Sequence, residues 1–215
     1  AYFPSWKNAD SIRFMPAVSY LNFLVCNEIV LIPKYWRTGF SETCSWGDYD
    51  SDGLLDLIIT NSRSSNSRNR LYKNTGNENF VSVDSGAIYN SVGILSRGVN
   101  WVDIDNDRDI DLFIANESGA VDYMYKNNGG GYFTSVTGIP PTTSGGISWS
   151  SSWGDYDNDG DLDLYVTNSE NQKNFLFRND GNFTFTRILN DPIVNENGYF
   201  ACSGWGDYDN DGDLD

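Results

Sequence analysis

The amino-acid sequence predicts an all-β protein built from repeated, four-stranded antiparallel sheets. A tryptophan-led motif recurs at residues 46, 101, 153 and 205, at intervals of 52 to 55 residues, which is the length of a unit of four short strands. Between the copies, short runs alternate apolar and polar residues and end in turns rich in Gly, Asn and Asp. This pattern is typical of strands rather than helices. The expected fold class is therefore a set of β-propeller blades, about three to four in number.

The repeat divides the chain into an N-terminal segment, residues 1–40, and four blade units. The N-terminal segment lacks the motif, although its run NFLVCNE at 22–28 faintly resembles NFLFRND at 174–180, so it could be a degenerate blade. The four units are expected at about 41–96, 97–146, 147–199 and 200–215. Because the last unit stops inside its motif, its second strand is missing and the predicted ring is not closed by these units alone.

The third unit carries the clearest strand pattern. Strands are expected near 147–154, 162–168, 174–179 and 183–188. Leu162, Leu164 and Val166 recur at every second position, as do Phe175 and Phe177, so each run should turn one face inward at a period of two.

The net charge of −16 is concentrated in the repeated motif, whose four copies hold 19 of the 30 acidic residues. Such a surface is a poor partner for nucleic acid or anionic membrane. The absence of histidine removes the usual general base, the Ser-His and Cys-His nucleophile systems and most zinc sites. No uninterrupted apolar run of about 18 residues is present, so we expect no membrane insertion.

The three cysteines, Cys26, Cys44 and Cys202, form neither a CxxC metal motif nor a dense disulfide framework. Buried free thiols are the favoured interpretation, because free cysteine packs as a small apolar residue. A bridge between Cys26 and Cys44 is the alternative.

Each motif copy contains the loop pattern Asp-x-Asp-x-Asp-Gly-x-x-Asp. Carboxylates at positions 1, 3, 5 and 9, with a backbone carbonyl at position 7, are the hard oxygen ligands that Ca²⁺ takes in six- to eight-fold coordination. Solvated turns are the alternative, but four or five like charges within nine residues repel one another unless a cation neutralises them. An EF-hand is excluded because its last acid falls at position 12 between helices, whereas strand sequence follows position 9 here. The candidate calcium ligands are Asp48, Asp50, Asp52, Leu54 and Asp56; Asp103, Asp105, Asp107, Asp109 and Asp111; Asp155, Asp157, Asp159, Asp161 and Asp163; and Asp207, Asp209, Asp211, Asp213 and Asp215.

The second copy departs from the pattern at position 6, where the chain must turn sharply and glycine is favoured. Gly53, Gly160 and Gly212 occupy this position in three copies, but Arg108 occupies it in the second. A left-handed conformation at Arg108 should cost roughly 1 kcal/mol, and its positive charge lies close to the predicted ion. The second site should therefore bind calcium most weakly.

Three features in register resemble the FG-GAP or VCBS repeat family: the Trp-Gly-Asp lead, the aspartate loop and the trailing N-x-L-x-x-N run, over residues 41–215. This family is best known from the seven-bladed propeller of integrin α-subunits and from bacterial surface proteins. The resemblance implies a propeller with calcium in the loop between the first two strands of each blade. It also implies an extracellular or cell-surface location and an adhesive or ligand-binding role.

The leading functional hypothesis is a calcium-binding module that meets a protein or carbohydrate ligand at the cell surface, without enzymatic activity. One alternative is a polysaccharide lyase or hydrolase that uses carboxylates outside the loops, namely Glu117, Asp122, Glu170 and Glu196. The other alternative is a structural subunit of a surface layer or extracellular filament, which self-associates through the incomplete unit. The repeated tryptophans are expected to pack between units, and the exposed aromatic candidates for sugar binding are Trp149, Tyr123 and Tyr199.

Overall fold

The computed structural model describes residues 40–62, 68–91 and 95–214. The expected degenerate blade in the N-terminal segment, the alternative Cys26–Cys44 bridge and the last candidate ligand, Asp215, fall outside these residues.

Three four-stranded antiparallel sheets form the described part of the chain, as the sequence predicts. In each sheet the strands lie in chain order, with short connections between neighbours. The first sheet contains β1 (Phe40–Gly47), β2 (Asp56–Ser62), β3 (Arg70–Asn74) and β4 (Phe80–Ser82). The second contains β5 (Ser96–Val102), β6 (Asp111–Asn116), β7 (Tyr123–Asn127) and β8 (Phe133–Val136). The third contains β9 (Ser148–Gly154), β10 (Asp163–Asn168), β12 (Phe175–Asn179) and β13 (Phe185–Ile188).

Smaller elements follow the last strand of each sheet. They are the helices α1 (Gly86–Asn90) and α2 (Pro140–Thr143), a 3₁₀ turn (Pro192–Val194) and strand β14 (Asn197–Gly198). Strand β14 pairs in a two-stranded ribbon with β11 (Gln172–Lys173), which lies between β10 and β12. The sequence pattern does not predict the helices, because they are too short to show a helical period. Ile88 of α1 and Val194 of the 3₁₀ turn are buried, and Ile88 packs in the hydrophobic cluster that contains Ile58 and Leu112.

The hydrophobic core lies between neighbouring sheets. The second strand of each sheet is almost completely buried, and its alternate side chains enter the clusters on either side. Between the second and third sheets, Phe113 packs with Leu164, Val166, Phe175 and Phe177, which confirms the inward face predicted for the third unit. Full burial of such side chains contributes about 1.5–3 kcal/mol each, so stacking of the sheets is a main source of stability.

The first strands of successive sheets approach each other most closely. A Cβ atom on Gly98 of β5 would lie 2.9 Å from the Ser150 Cα atom of β9 and 3.0 Å from the Trp149 carbonyl oxygen. From the second strand of the first sheet, Thr60 Oγ1 donates a hydrogen bond to the Arg97 carbonyl of β5 at 2.7 Å. This side-by-side packing through the first strands is the arrangement of propeller blades.

The expectation of buried thiols is wrong for Cys202, which is exposed, while Cys44 is half-buried. Cys202 lies in the fourth unit, where the described residues form no paired strand around it, so no neighbouring sheet covers its side chain. No helix within the described ranges has both the length and the apolar character needed to span a membrane.

Candidate metal centres

The aspartate loops lie between the first and second strands of each sheet, where the family resemblance implies them. Gly47 ends β1 and Asp56 begins β2, so the first eight loop positions connect the two strands and position 9 opens the second. The second and third sheets repeat this arrangement. Every loop is thus anchored at both ends by a strand pair in these sheets.

The first aspartate of each loop closes the turn. Asp48 Oδ1 accepts the N–H of Asp52 at 3.0 Å, and Asp48 Oδ2 accepts the N–H of Gly53 at 2.9 Å. The same two bonds recur at Asp103, Asp155 and Asp207, at 2.9 to 3.1 Å. The position-4 residues, Ser51, Asn106, Asn158 and Asn210, all have a positive φ, a second left-handed position that our sequence analysis missed.

The ninth loop residue is a buried carboxylate in each complete loop. Asp56, Asp111 and Asp163 have no exposed side-chain surface. Asp56 Oδ2 accepts the Tyr49 N–H at 3.2 Å, and its Oδ1 accepts the Asn74 N–H at 2.8 Å. Desolvation raises the pKa of Asp56 and Asp163 to about 6 and that of Asp111 to about 7, although backbone N–H donors oppose the shift.

The predicted ligands converge in part. In the first three loops the carboxylates of positions 1, 3 and 9 offer oxygen atoms within 4.8 Å of one another, and in the fourth loop positions 1, 3 and 5 do so. These groups are Asp48, Asp50 and Asp56; Asp103, Asp105 and Asp111; Asp155, Asp157 and Asp163; and Asp207, Asp209 and Asp211. The candidates outside these groups are Asp52, Asp107 and Asp159 at position 5, and Leu54, Asp109, Asp161 and Asp213 at position 7.

Two buried oxygen atoms indicate that the groups suit a cation. Asp50 Oδ1 and Asp105 Oδ1 are buried without a hydrogen-bond partner, and the two side chains are only 10% and 7% exposed. Leaving such an acceptor unsatisfied costs about 1–3 kcal/mol. Oxygen ligands lie about 2.4 Å from Ca²⁺, so ligands on opposite sides of one ion are separated by about 4.8 Å. The residues present therefore fit a calcium ion.

A family model described as an FG-GAP-like repeat matches residues 48–114, 103–166 and 155–215. Together these matches cover more than half of the chain. The chain belongs to the FG-GAP-like repeat family. The first two matches run from the first aspartate of one loop into the second strand of the following sheet, so the family unit contains two consecutive loops. No individual curated protein matches the chain significantly.

In the first and second sheets, a lysine on the third strand lies among the carboxylates of the aspartate loop, a contact that the loop motif does not predict. Lys73 Nζ contacts the carboxylate of Asp50 and lies 3.0 Å from Asp52 Oδ2. Its hydrogen bonds to these aspartates raise the pKa of Lys73, and the bond from Lys73 lowers the pKa of Asp52. Lys126 makes the equivalent contacts with Asp105 and Asp107.

Arg178 is the counterpart of these lysines in the third FG-GAP-like repeat, but it is held differently. Its Nε donates to Asp180 Oδ1 at 2.7 Å and lies 4.0 Å from Asp157 Oδ2. The signal for all three residues is the run YKN, YKN and FRN at the end of the third strand.

The backbone at Arg108 has the strained conformation that the sequence predicts. Its φ is 78°, against 87° for Gly53 and 95° for Gly160 at the same loop position. Arg108 N–H still donates to Asp103 Oδ2 at 2.9 Å. The second loop therefore retains its turn and bears the conformational cost of a side chain in the left-handed region.

Asparagine side chains connect each FG-GAP-like repeat to the one before it. At the end of the third strand, Asn127 Nδ2 donates to the Tyr49 carbonyl at 2.7 Å, and Asn179 Nδ2 donates to the Ile104 carbonyl at 2.9 Å. Tyr49 and Ile104 are the second residues of the preceding loops. The final Asn of the N-x-L-x-x-N run therefore fixes a neighbouring aspartate loop.

Three of the four repeat tryptophans pack against the preceding sheet, as the sequence predicts, whereas the described ring contact of Trp46 is with Phe80 of its own sheet, at 5.9 Å between centroids. The ring of Trp101 stacks on Tyr49 at 6.1 Å between centroids, and that of Trp205 stacks on Tyr156 at 6.0 Å. Trp153 meets Phe113 edge-on at 5.8 Å. Each of these three rings covers the aspartate loop or second strand of the preceding sheet.

The aromatic candidates for sugar binding differ in exposure. Tyr199 is 78% exposed, whereas Tyr123 is half-buried beside Tyr125. Trp149 is half-buried with the Arg97 guanidinium 4.8 Å from its ring centroid. Tyr199 is thus the most accessible of the three predicted aromatic residues.

The four carboxylates on which the enzymatic alternative rests differ in burial and in their partners. Glu117 forms an ion pair with Arg97 at 2.8 Å, and Asp122 is buried and accepts the hydroxyl of Ser148 at 3.1 Å. Glu170 and Glu196 are exposed. Among the described residues, the clusters of three or more potential metal-binding side chains are the four aspartate loops.

Proposed function

We propose that this FG-GAP-like repeat protein is a calcium-binding, extracellular or cell-surface β-propeller module that binds a protein or carbohydrate ligand. The observation that carries the calcium assignment is the convergence of three carboxylates in each aspartate loop, with buried and unpartnered oxygen atoms at Asp50 and Asp105. Membership of a family whose repeats are typical of surface proteins supports the location.

Calcium is favoured over other cations by the chemistry of the donors. Every side chain in the four groups offers carboxylate oxygen, and the described groups contain no cysteine or histidine. Hard oxygen donors select Ca²⁺ or Mg²⁺ over zinc and copper. Carboxylates carried on a flexible turn suit the variable geometry of Ca²⁺ better than the strict octahedron of Mg²⁺.

The proposed role of calcium is to rigidify the loops. The loops connect the first two strands of each sheet and contact the following unit, the first loop through Trp101 and the third through Trp205. Neutralising three convergent carboxylates removes their repulsion, which otherwise opposes closure of the loop. An ordered loop edge then provides a fixed surface for an extracellular ligand.

Measurement of bound metal together with thermal unfolding tests the calcium assignment. We expect dialysis against a calcium chelator to remove the ions and lower the thermal midpoint, and calcium chloride to restore both. Asp157→Asn should reduce the ion count by one per chain, whereas the matched control Asp84→Asn should leave it unchanged, because Asp84 pairs with Arg70 outside the loops. A midpoint and an ion count that both resist the chelator would overturn the proposal.

The ligand-binding part of the proposal has a separate test. The calcium-loaded chain should bind members of a glycan array or immobilised extracellular-matrix proteins, and the signal should disappear in chelator. Binding that is equal with and without calcium would contradict a role for the loops in presenting the ligand surface.

A further inference from the structure

Two of the aspartate loops already contain a cation of the chain itself. The ammonium group of Lys73 contacts the position-3 carboxylate Asp50 and lies 3.0 Å from the position-5 carboxylate Asp52. Lys126 repeats both contacts at Asp105 and Asp107, again at 3.0 Å from the second aspartate. An ammonium group at these oxygen atoms supplies part of the charge that a metal ion would supply.

The third loop differs because its basic residue is directed elsewhere. The Arg178 guanidinium pairs with Asp180 at 2.7 Å and reaches Asp157 only at 4.0 Å. The Arg178 side chain is 40% exposed, and the ion pair with Asp180 holds its guanidinium group at the edge of the loop. Within the described part of the chain, the third loop therefore has no ammonium group among its converging carboxylates.

We propose that Lys73 and Lys126 are built-in counter-ions that calcium must displace, so that the loop from Asp155 to Asp163 binds calcium more tightly than the loops from Asp48 and Asp103. This inference rests on the proposed calcium function. A divalent ion and an ammonium group about 4 Å apart repel by about 2 kcal/mol even in water. Each lysine must therefore leave its carboxylates when calcium enters, and the lost contacts reduce the net affinity.

The surroundings of the two lysines determine which of the first two loops should bind calcium more tightly. Lys73 is 36% exposed and Lys126 is 29% exposed, and the ring of Phe183 lies 5.4 Å from the Lys126 ammonium. This cation–π contact holds Lys126 in its loop, and Arg108 adds a second positive charge there. The expected order of calcium affinity is the third loop, then the first, then the second.

Calorimetric titration of the full, calcium-free chain with calcium chloride tests the order. Lys73→Met and Lys126→Met keep the apolar stem and remove the ammonium, so each should lower the dissociation constant of one weak site by about 5- to 30-fold, which corresponds to about 1–2 kcal/mol. Lys173→Met is the matched control, because Lys173 donates to Asn195 and contacts none of the aspartate loops as far as the structure describes them. Conversely, Arg178→Lys should weaken the third-loop site by at least about fivefold.

Thermal unfolding distinguishes displacement from simple damage. Without calcium, Lys73→Met should unfold at a lower temperature than the wild type, because the loop has lost its internal cation. In saturating calcium the difference should vanish or reverse. A variant that is merely misfolded would be less stable under both conditions.

Unchanged dissociation constants in both lysine variants, or in Arg178→Lys, would overturn this inference while leaving the calcium function in place. A wild-type chain that takes up no calcium at all would instead overturn the proposed function, and this inference with it.

Discussion

At the scale of single residues, Asp122 is a buried acid in a position where the other sheets carry asparagine. Asn69 and Asn174 occupy the equivalent place before the third strand. In the first sheet, Asn69 Nδ2 donates to Ser96 Oγ at 2.9 Å, whereas Asp122 faces the equivalent Ser148 Oγ at 3.1 Å. Desolvation raises the pKa of Asp122 from 3.8 to about 8, so its burial makes folding sensitive to pH.

Replacing Asp122 with asparagine should stabilise the protein most at alkaline pH. Between about pH 4 and pH 8 the folded state holds a proton on Asp122 that the unfolded state has released, so stability falls as pH rises through this window. Asp122→Asn removes that loss and restores a donor to Ser148. We expect about 1–2 kcal/mol of added stability at about pH 8, or about 2–8 °C in thermal midpoint, shrinking towards pH 4.

Thermal unfolding in chelator at several pH values measures this effect without a contribution from bound metal. The reciprocal variant Asn69→Asp places a carboxyl beside Ser96 and should introduce a comparable loss of stability at high pH. A midpoint difference between Asp122→Asn and the wild type that is the same at acidic and alkaline pH would contradict the assignment.

The convergence of carboxylates at positions 1, 3 and 9 could be predicted in the first three loops because these residues lie within nine positions of one another; the ligand roles themselves stay a prediction. The strain at Arg108 was predictable for the same reason, since glycine occupies its place in three other copies. The lysine counter-ions were not predictable, because Lys73 and Asp50 are 23 residues apart. Their contact depends on the pairing of strands β2 and β3, which the loop motif does not contain.

At the scale of elements, the strands were predictable where a run of alternating apolar and polar residues has turn residues at both ends. The four strands of the third sheet begin within two residues of their predicted starts. Helices α1 and α2, of five and four residues, escaped prediction because they are shorter than two helical turns. Their formation depends on the sheets that bury Ile88 and Thr142.

Successive aspartate loops are joined by side chains from position 4. Asn106 Nδ2 donates to Asp161 Oδ1 at 2.7 Å and to the Gly160 carbonyl at 3.2 Å. Asn158 Nδ2 donates to Asp213 Oδ1 at 2.6 Å. These bonds join the second loop to the third and the third to the fourth, so the left-handed asparagines connect neighbouring aspartate loops as well as forming the turn.

Removing one of these links should weaken the contact between neighbouring loops. Asn106→Ser introduces the residue that the first loop carries at position 4, and we expect it to lower stability by about 0.5–1.5 kcal/mol. Asn158→Ser should do the same. Denaturant unfolding measures the loss. Asn210→Ser is the matched control, because Asn210 has the same positive φ and makes no bond to another loop within the described ranges. Equal losses in all three variants would attribute the effect to the turn alone.

At the scale of the whole molecule, repulsion between the negatively charged aspartate loops lowers the stability of the folded chain. The net charge is −16, and the aspartate loops that carry most of it lie side by side on consecutive sheets. Asn106 bridges two of them within hydrogen-bond distance, so repulsion acts between loops as well as within each loop. The ammonium groups of Lys73 and Lys126 lie among these carboxylates, and the proposed calcium ions would reduce the repulsion further.

The stability of the calcium-free protein should therefore rise with ionic strength. The Debye length falls from about 30 Å at 0.01 M salt to about 10 Å at 0.1 M, which screens repulsion between neighbouring loops. We expect sodium chloride to raise the thermal midpoint by several degrees in chelator and by much less in saturating calcium, because bound ions have already neutralised the loops. A comparison of sodium chloride with magnesium chloride at the same ionic strength distinguishes screening of the charges from binding of a divalent ion to the loops. If the thermal midpoint depended on salt equally in chelator and in calcium, the idea that bound calcium neutralises the loop carboxylates would be contradicted.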